Sequence, residues 1–265
     1  MKPVFWAWLL ATGLLAACAA GAPPPPTPTP VPLRGGGSPA VATLWPELAA
    51  SFSAGRPALD LSFEALPSSL AVEDVAAGSM DFAFSTDPAA SGHHPKLAYT
   101  PIAYDAIAMI AHPGNAPEVL TLVQARDLFT GYVQDWSAYG LSPQQVLLVA
   151  GEEGDGARAT FDTTVLGDQP LARSALLLPD DDSVVAYVAS HPGAIGYASK
   201  AALKAGVEAI PIEDLAPGED GYPLVQAIDV VLPAQPDPNA LALREWLLSP
   251  AGQKLLSTRF SPLPR

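Results

Sequence analysis

Between Val149 and Phe161 the chain reads VAGEEGDGARATF, an apolar run that enters an acidic, glycine-broken turn and then a helix-forming segment. That order of residue types suits the binding of an anion. The start of a helix presents N–H groups with no intrahelical partner and a partial positive charge, and glycine lets an oxyanion reach the main chain. Gly156, Ala157 and Arg158 would supply those donors. Asp155 stands at the mouth of the turn and fits two roles. As an N-cap it accepts from N–H groups near Ala157 or Arg158 and takes the place of a ligand; turned outward, together with Asp87, it would hold a cation or an amine. Arg158 likewise has two readings, lining a cleft or pairing with Glu152 or Glu153.

Three serines stand in similar places. Ser38 precedes Pro39, and Ser68 and Ser69 follow Pro67, each ahead of a helix-forming stretch. Capping of the chain's own helix and contact with a ligand are both open to them. Metal chemistry has little to work with. His93-His94 lies in a Ser-Gly-rich loop without a third ligand at a recognisable spacing, and Asp180-Asp181-Asp182 lacks the calcium-loop pattern. With no Ser/His/Asp order or nucleophile elbow, the residues favour a binding protein without cofactor or metal over an enzyme.

The elements that must hold these residues alternate in type. Helical spacing of Val41, Leu44, Leu48 and Phe52 predicts a helix after Ser38, kinked at Pro46. Strands are expected over 59–63, 81–85, 102–111, 146–150, 194–197 and 224–232. Helices are expected over 72–77, 120–129, 157–165, 183–190 and 241–256. Alternation of this kind indicates an α/β protein. The strands at 102–111 and 224–232 are candidates for two crossings between lobes, the first lobe holding 35–111 plus 224–265 and the second 112–223.

The ends of the chain carry different information. Lys2, an apolar run from Val4 to Leu15 and the small-residue site Leu15-Ala16-Ala17-Cys18 resemble a bacterial lipoprotein signal, with residues 1–17 removed. The apolar run is short of the ~20 residues that a span needs. Cys18 is the sole cysteine, so it forms no internal disulfide and is the expected site of lipidation. An exported chain tethered to a membrane surface by lipid follows. Seven of the ten positions from 23 to 32 are proline, which predicts a polyproline stalk through residue 34. The formal charge of −14 makes nucleic acid an improbable partner and gives no long-range attraction for an anion.

Several motifs match a known family in order. Tyr104-Asp105-Ala106-Ile107-Ala108 with Pro113 and Asn115, then Leu120-Thr121, Asp127-Leu128-Phe129-Thr130-Gly131 and Asp135-Trp136, resemble the middle of the phosphate-type substrate-binding proteins of ABC transporters. Gly193-Ala194-Ile195-Gly196-Tyr197, Tyr222-Pro223-Leu224 and Leu248-Ser249-Pro250-Ala251-Gly252-Gln253 continue the match. The resemblance implies a bilobal periplasmic-binding-protein fold, two α/β lobes joined by a two-crossing hinge, a small oxyanion in the cleft and an ABC permease as partner. It places Ser38, Ser68 or Ser69, Asp87 and the Asp155–Arg158 loop at the ligand.

The chain also departs from the family. Its second loop is Pro67-Ser68-Ser69 where the family has Gly-Ser-Gly. Its fourth loop, Gly151-Glu152-Glu153-Gly154-Asp155-Gly156-Ala157-Arg158, lacks the family's arginine, serine and threonine donors. Hydrogen bonds to charged groups contribute ~1.5–3 kcal/mol each, so three fewer weaken a phosphate complex by several kcal/mol. A second reading therefore stands beside the first, a sensor or surface interaction module whose cleft is degenerate and holds no phosphate.

Overall fold

The computed structural model describes residues 30–86, 94–153, 156–261 and 263. Expectations that rest on Cys18, Asp87, His93, Gly154 and Asp155 lie outside the described residues, as does the signal segment.

Strand and helix alternate through β1 (Val31–Gly37), α1 (Pro39–Ala42), α2 (Trp45–Ser53), β2 (Leu59–Ala65), α3 (Ser68–Ala77) and β3 (Phe82–Ser85). The long β4 (Ala98–Ala111) is followed by α4 (Leu122–Phe129), β5 (Leu147–Gly151), α5 (Gly156–Phe161), β6 (Leu176–Leu178) and α6 (Asp181–Ser190). The chain then runs through β7 (Ala194–Ser199), β8 (Glu208–Ile210), β9 (Val225–Leu232), α7 (Pro238–Leu248) and α8 (Pro250–Leu256). This is the mixed α/β architecture expected from the pattern.

The strands lie in the order β2-β1-β3-β9-β4-β7-β5-β6, with β8 also on β4. β2 and β3 run parallel to β1, and β6 and β7 run parallel to β5. Between these two parallel groups sits an antiparallel pair, β9 against β4. β4 is long enough to serve both sides. Its first half pairs with β9, and its last residues pair with β7 and β8.

The buried side chains follow the same division. One core gathers Leu33, Trp45, Phe52, Phe82, Phe84 and Ile102 with residues of β9, α7 and α8. Another joins Met109, Leu128, Phe129, Trp136, Phe161 and Tyr197. The first draws on both ends of the chain and the second on its middle. Aromatic stacking tightens the second: the rings of Phe161 and Tyr197 lie 4.0 Å apart at 10°.

Several boundaries differ from the sequence expectation, among them the starts of α3 and β4, four residues earlier than expected, and four others differ for a local reason. The proline run ends sooner than residue 34, because Val31–Gly37 pairs in register with Leu59–Ala65 and Leu33 is wholly buried. Pro46 does not kink one helix. It sits in the first turn of a separate α2, where its missing N–H has no intrahelical role. The predicted helix over 241–256 is likewise two, broken where Ser249 caps α8 and Pro250 begins it. Finally, α5 gives way after Phe161 to a single π-helical turn over Asp162–Leu166. Among the described residues no helix is long and apolar enough to cross a membrane.

Candidate functional site

Parallel strands carry their loops at a shared edge, and in open α/β sheets ligands bind outside the carboxyl ends of the strands. Here the carboxyl ends of two parallel groups border one cavity of about 200 Å³. Ser38 and Pro39 follow β1, Leu66, Pro67 and Ser68 follow β2, and Thr86 follows β3. From the other group, Glu152, Glu153 and Gly156 follow β5, and Pro179, Asp180 and Asp181 follow β6. Gln226 enters from β9.

Three hydroxyls form the inner wall. Ser38, Ser68 and Thr86 are 5 %, 2 % and 3 % exposed, so their polar atoms depend on one another or on a ligand. The Thr86 amide donates to Ser68 Oγ at 3.1 Å, the two hydroxyls lie 3.2 Å apart, and Thr86 Oγ1 donates to Ser38 Oγ at 3.4 Å. Ser38 Oγ also caps α1, accepting from the Ala40 amide at 3.3 Å, so capping and lining the cavity coexist in one residue. Its placement is set by Gly37, whose φ of +139° and approach to the Phe84 carbonyl leave no room for a side chain. Removing Ser68 Oγ in Ser68→Ala strands the buried Thr86 amide. The expected loss is about 1–3 kcal/mol of unfolding free energy, read from a denaturant titration without ligand.

Directly below the hydroxyls begins α3. Its N-cap is Pro67, which provides no side-chain acceptor, so the first-turn N–H groups have no cap from that position, and Pro67 and Ser68 border the cavity. Opposite them, Gly156 opens α5 at such close range that an added Cβ would lie 2.1 Å from Thr86 Oγ1. Only glycine permits this contact.

Acidic groups border the outer part. Glu152 and Glu153 are exposed, while Asp180 caps α6 by accepting from the Ser183 amide at 2.7 Å and Asp181 accepts from the Ser199 amide at 3.2 Å. No lysine or arginine is among the described residues that line the cavity.

Gln226 is fixed from both sides. Its Nε2 donates to the buried Asp105 at 3.1 Å, and Thr160 Oγ1 donates to its Oε1 at 3.3 Å. Sequence reasoning missed this residue, yet a signal was available. Alternation along β9 puts Gln226 on the buried face of Ile228 and Val230, and an amide on such a face needs partners. The family motif points to the neighbouring Asp87 and gives Thr86 no signal of its own.

Other expected residues lie elsewhere. Arg158 turns away from the cavity. Its Nε donates to both carboxylate oxygens of Asp162 at 2.7 Å and its Nη1 to the Gly151 carbonyl at 3.0 Å, so it pairs with Asp162 rather than Glu152 or Glu153. The cause is helical spacing, four residues along a continuous turn. Ala157, a residue of α5, is packed into the core, and Ser69, half-buried in the first turn of α3, does not line the cavity.

Beside the hydroxyl wall, Asp229 of β9 pairs in register with Ser85. Burial pushes its carboxyl from 3.8 up to about 6. The folded state therefore holds a proton that the unfolded chain has released, and stability falls as pH rises from about 4 through 6. Asp229→Asn is expected to raise unfolding free energy at pH 7.5 by about 1–3 kcal/mol after allowance for solvent screening, and to change little at pH 4. Denaturant melts at the two pH values check this.

Comparison with known proteins places the architecture. A model of the PBP superfamily domain matches residues 22–251. The chain belongs to the PBP superfamily. Among solved structures it is similar to a Clostridium perfringens protein assigned as a phosphate ABC transporter substrate-binding protein, with phosphate bound. The identity is 21 % and the TM-score 0.81, over 88 % of this chain and 100 % of that one. An ABC-type phosphate transport receptor from Vibrio cholerae is 20 % identical with a TM-score of 0.74, over 88 % and 100 %. A phosphate-binding protein from Stenotrophomonas maltophilia is 13 % identical with a TM-score of 0.69, over 88 % and 91 %. At these identities the likeness is one of fold.

Proposed function

We propose that this PBP-superfamily chain is an extracytoplasmic solute-binding protein of an ABC import system, taking a small phosphate-like oxyanion in the cavity between its two parallel strand groups. One observation carries the reading: three buried hydroxyls, from Ser38, Ser68 and Thr86, converge beside the uncapped start of α3. Hydroxyls gathered beside a helix start are what an oxyanion requires when no lysine or arginine is among the described residues that line the site. The similarity in fold to phosphate-binding receptors supports the same class of ligand.

In this proposal β4 and β9 are the two crossings of a hinge, with one lobe of residues 31–111 plus 224–265 and another of 112–223. Ligand contacts from both lobes would favour the closed form, and an ABC permease would receive it. Diacylated Cys18 would hold the protein at the membrane surface. Catalysis has no part in the proposal.

Among the described residues, four carboxylates at the cavity, Glu152, Glu153, Asp180 and Asp181, favour a second reading, a sensor or interaction module that binds no phosphate. Isothermal titration of the purified protein with phosphate, sulfate, molybdate and tungstate separates the two. Saturable heat with one or more of these anions is the expected result; no heat and no thermal shift with any of them removes the oxyanion reading and leaves the second.

A further inference from the structure

The cavity with the hydroxyl wall does not end at its acidic rim. A second compartment of about 760 Å³ shares Pro39, Ala40, Ala65, Asp180 and Asp181 with it and extends away from the hydroxyls. Its further wall includes Ala42, Thr43, Ala202 and Leu203, with Lys204 and Arg259 at the outside. The two spaces differ in character. The inner one offers hydroxyls and a helix start; the outer one offers short aliphatic side chains. A bare tetrahedral anion has no group to place there, whereas pockets for organic ligands combine an apolar lining with a few polar groups that fix orientation.

Resting on the oxyanion reading above, we infer that the ligand is an organic phosphate monoester, its phosphoryl group at Ser38, Ser68 and Thr86 and a short neutral body in the alanine-walled compartment. The charges on the outer wall limit that body further. Asp182 is held by Lys204 at 2.8 Å, and Asp180 and Asp181 accept from main-chain amides, so the wall carries more acid than base. A second negative group on the ligand would meet those carboxylates and be disfavoured. Esters of one phosphate with an aliphatic or hydroxylated body fit; bisphosphates and phosphorylated carboxylic acids do not.

Calorimetric titration of the purified protein with inorganic phosphate, methyl phosphate, butyl phosphate and glycerol phosphate tests this. Each buried methylene strengthens binding by about fourfold, so butyl phosphate is expected to bind at least tenfold more tightly than inorganic phosphate. In Ala202→Trp and Thr43→Trp, which fill the outer compartment, that advantage over inorganic phosphate disappears; two variants are used so that the test survives misfolding of either, and thermal melts show which is folded. Inorganic phosphate binding as tightly as butyl phosphate, or an advantage that persists in a folded Trp variant, overturns the inference while leaving the oxyanion reading in place. No heat with inorganic phosphate or any ester overturns the inference, and it overturns the oxyanion reading as well when sulfate, molybdate and tungstate are also silent.

Discussion

Gly156→Ala is expected to lower affinity for the proposed oxyanion at least tenfold and unfolding free energy by about 1–3 kcal/mol. The added methyl would sit 2.1 Å from Thr86 Oγ1, 2.7 Å from Thr86 Cβ and 2.9 Å from the Thr86 carbonyl oxygen. Two of these atoms belong to the side chain, but the third is backbone at the end of β3, so rotation of Thr86 cannot relieve the clash. The start of α5 must then move away from β3. Overpacking of this size costs about 1–3 kcal/mol, and a displacement on the order of 1 Å between the walls of a binding site loses donors that act only together. A double-mutant cycle isolates the cause. In a Thr86→Ala background, which removes the hydroxyl and one methyl, Gly156→Ala is expected to cost less than in the wild-type protein. Equal costs in the two backgrounds would show that the Thr86 side chain is not what limits the approach.

Leu33→Ala is expected to cost about 2–5 kcal/mol, more than Ser68→Ala or Gly156→Ala. Leu33 is wholly buried, joins the core that contains Phe82 and Phe84, and lies in register with Leu61 across β1 and β2. Its removal opens a cavity under a strand whose other residues include three glycines with no side chains to collapse inward. Pro32, the neighbouring strand residue, is exposed, and Pro32→Ala is the matched control with an expected change under about 0.5 kcal/mol. Denaturant titrations of both variants give the comparison. A small effect at Leu33 would return the start of the folded part to Arg34.

That boundary illustrates how far the sequence was legible. The first four residues of β1, Val31–Arg34, read as the tail of a proline stalk, because they contain neither alternation nor β-branched bulk beyond Val31. The strand forms for another reason: Gly35 and Gly37 allow Phe82 and Phe84 of β3 to press against the backbone, a fit that concerns residues some fifty positions apart. Strongly patterned elements fared better. The long apolar run of β4, the strand at β9 and the α/β alternation all carry period and composition in themselves, and β5, α4 and β7 fell within two residues of expectation. The break between α7 and α8 lay in plain view at Ser249-Pro250 and was overridden by the amphipathic period on either side.

For the site, family motif order located the loops, and chain-local rules located the helix starts. Those signals point to Ser38 and Ser68, both of which border the cavity. Arg158 was misplaced because sequence does not say which face of a short helix a guanidinium takes; the structure holds it through Asp162, one turn further along. Thr86 and Gln226 were missed for the opposite reason. Each is defined by what it meets from other strands, Thr86 by Ser68 and Gly156, Gln226 by Asp105 and Thr160.

The most direct test of the account compares the purified wild-type protein with a Ser38→Ala, Ser68→Ala, Thr86→Val variant in calorimetric titrations with phosphate and butyl phosphate, folding of the variant being verified by thermal melting. Three hydroxyls removed from one buried cluster predict at least a hundredfold loss of affinity for both ligands, at about 1 kcal/mol or more per hydrogen bond. Unchanged affinity in the folded variant would contradict the account, because the ligand would then be held somewhere other than the hydroxyl wall.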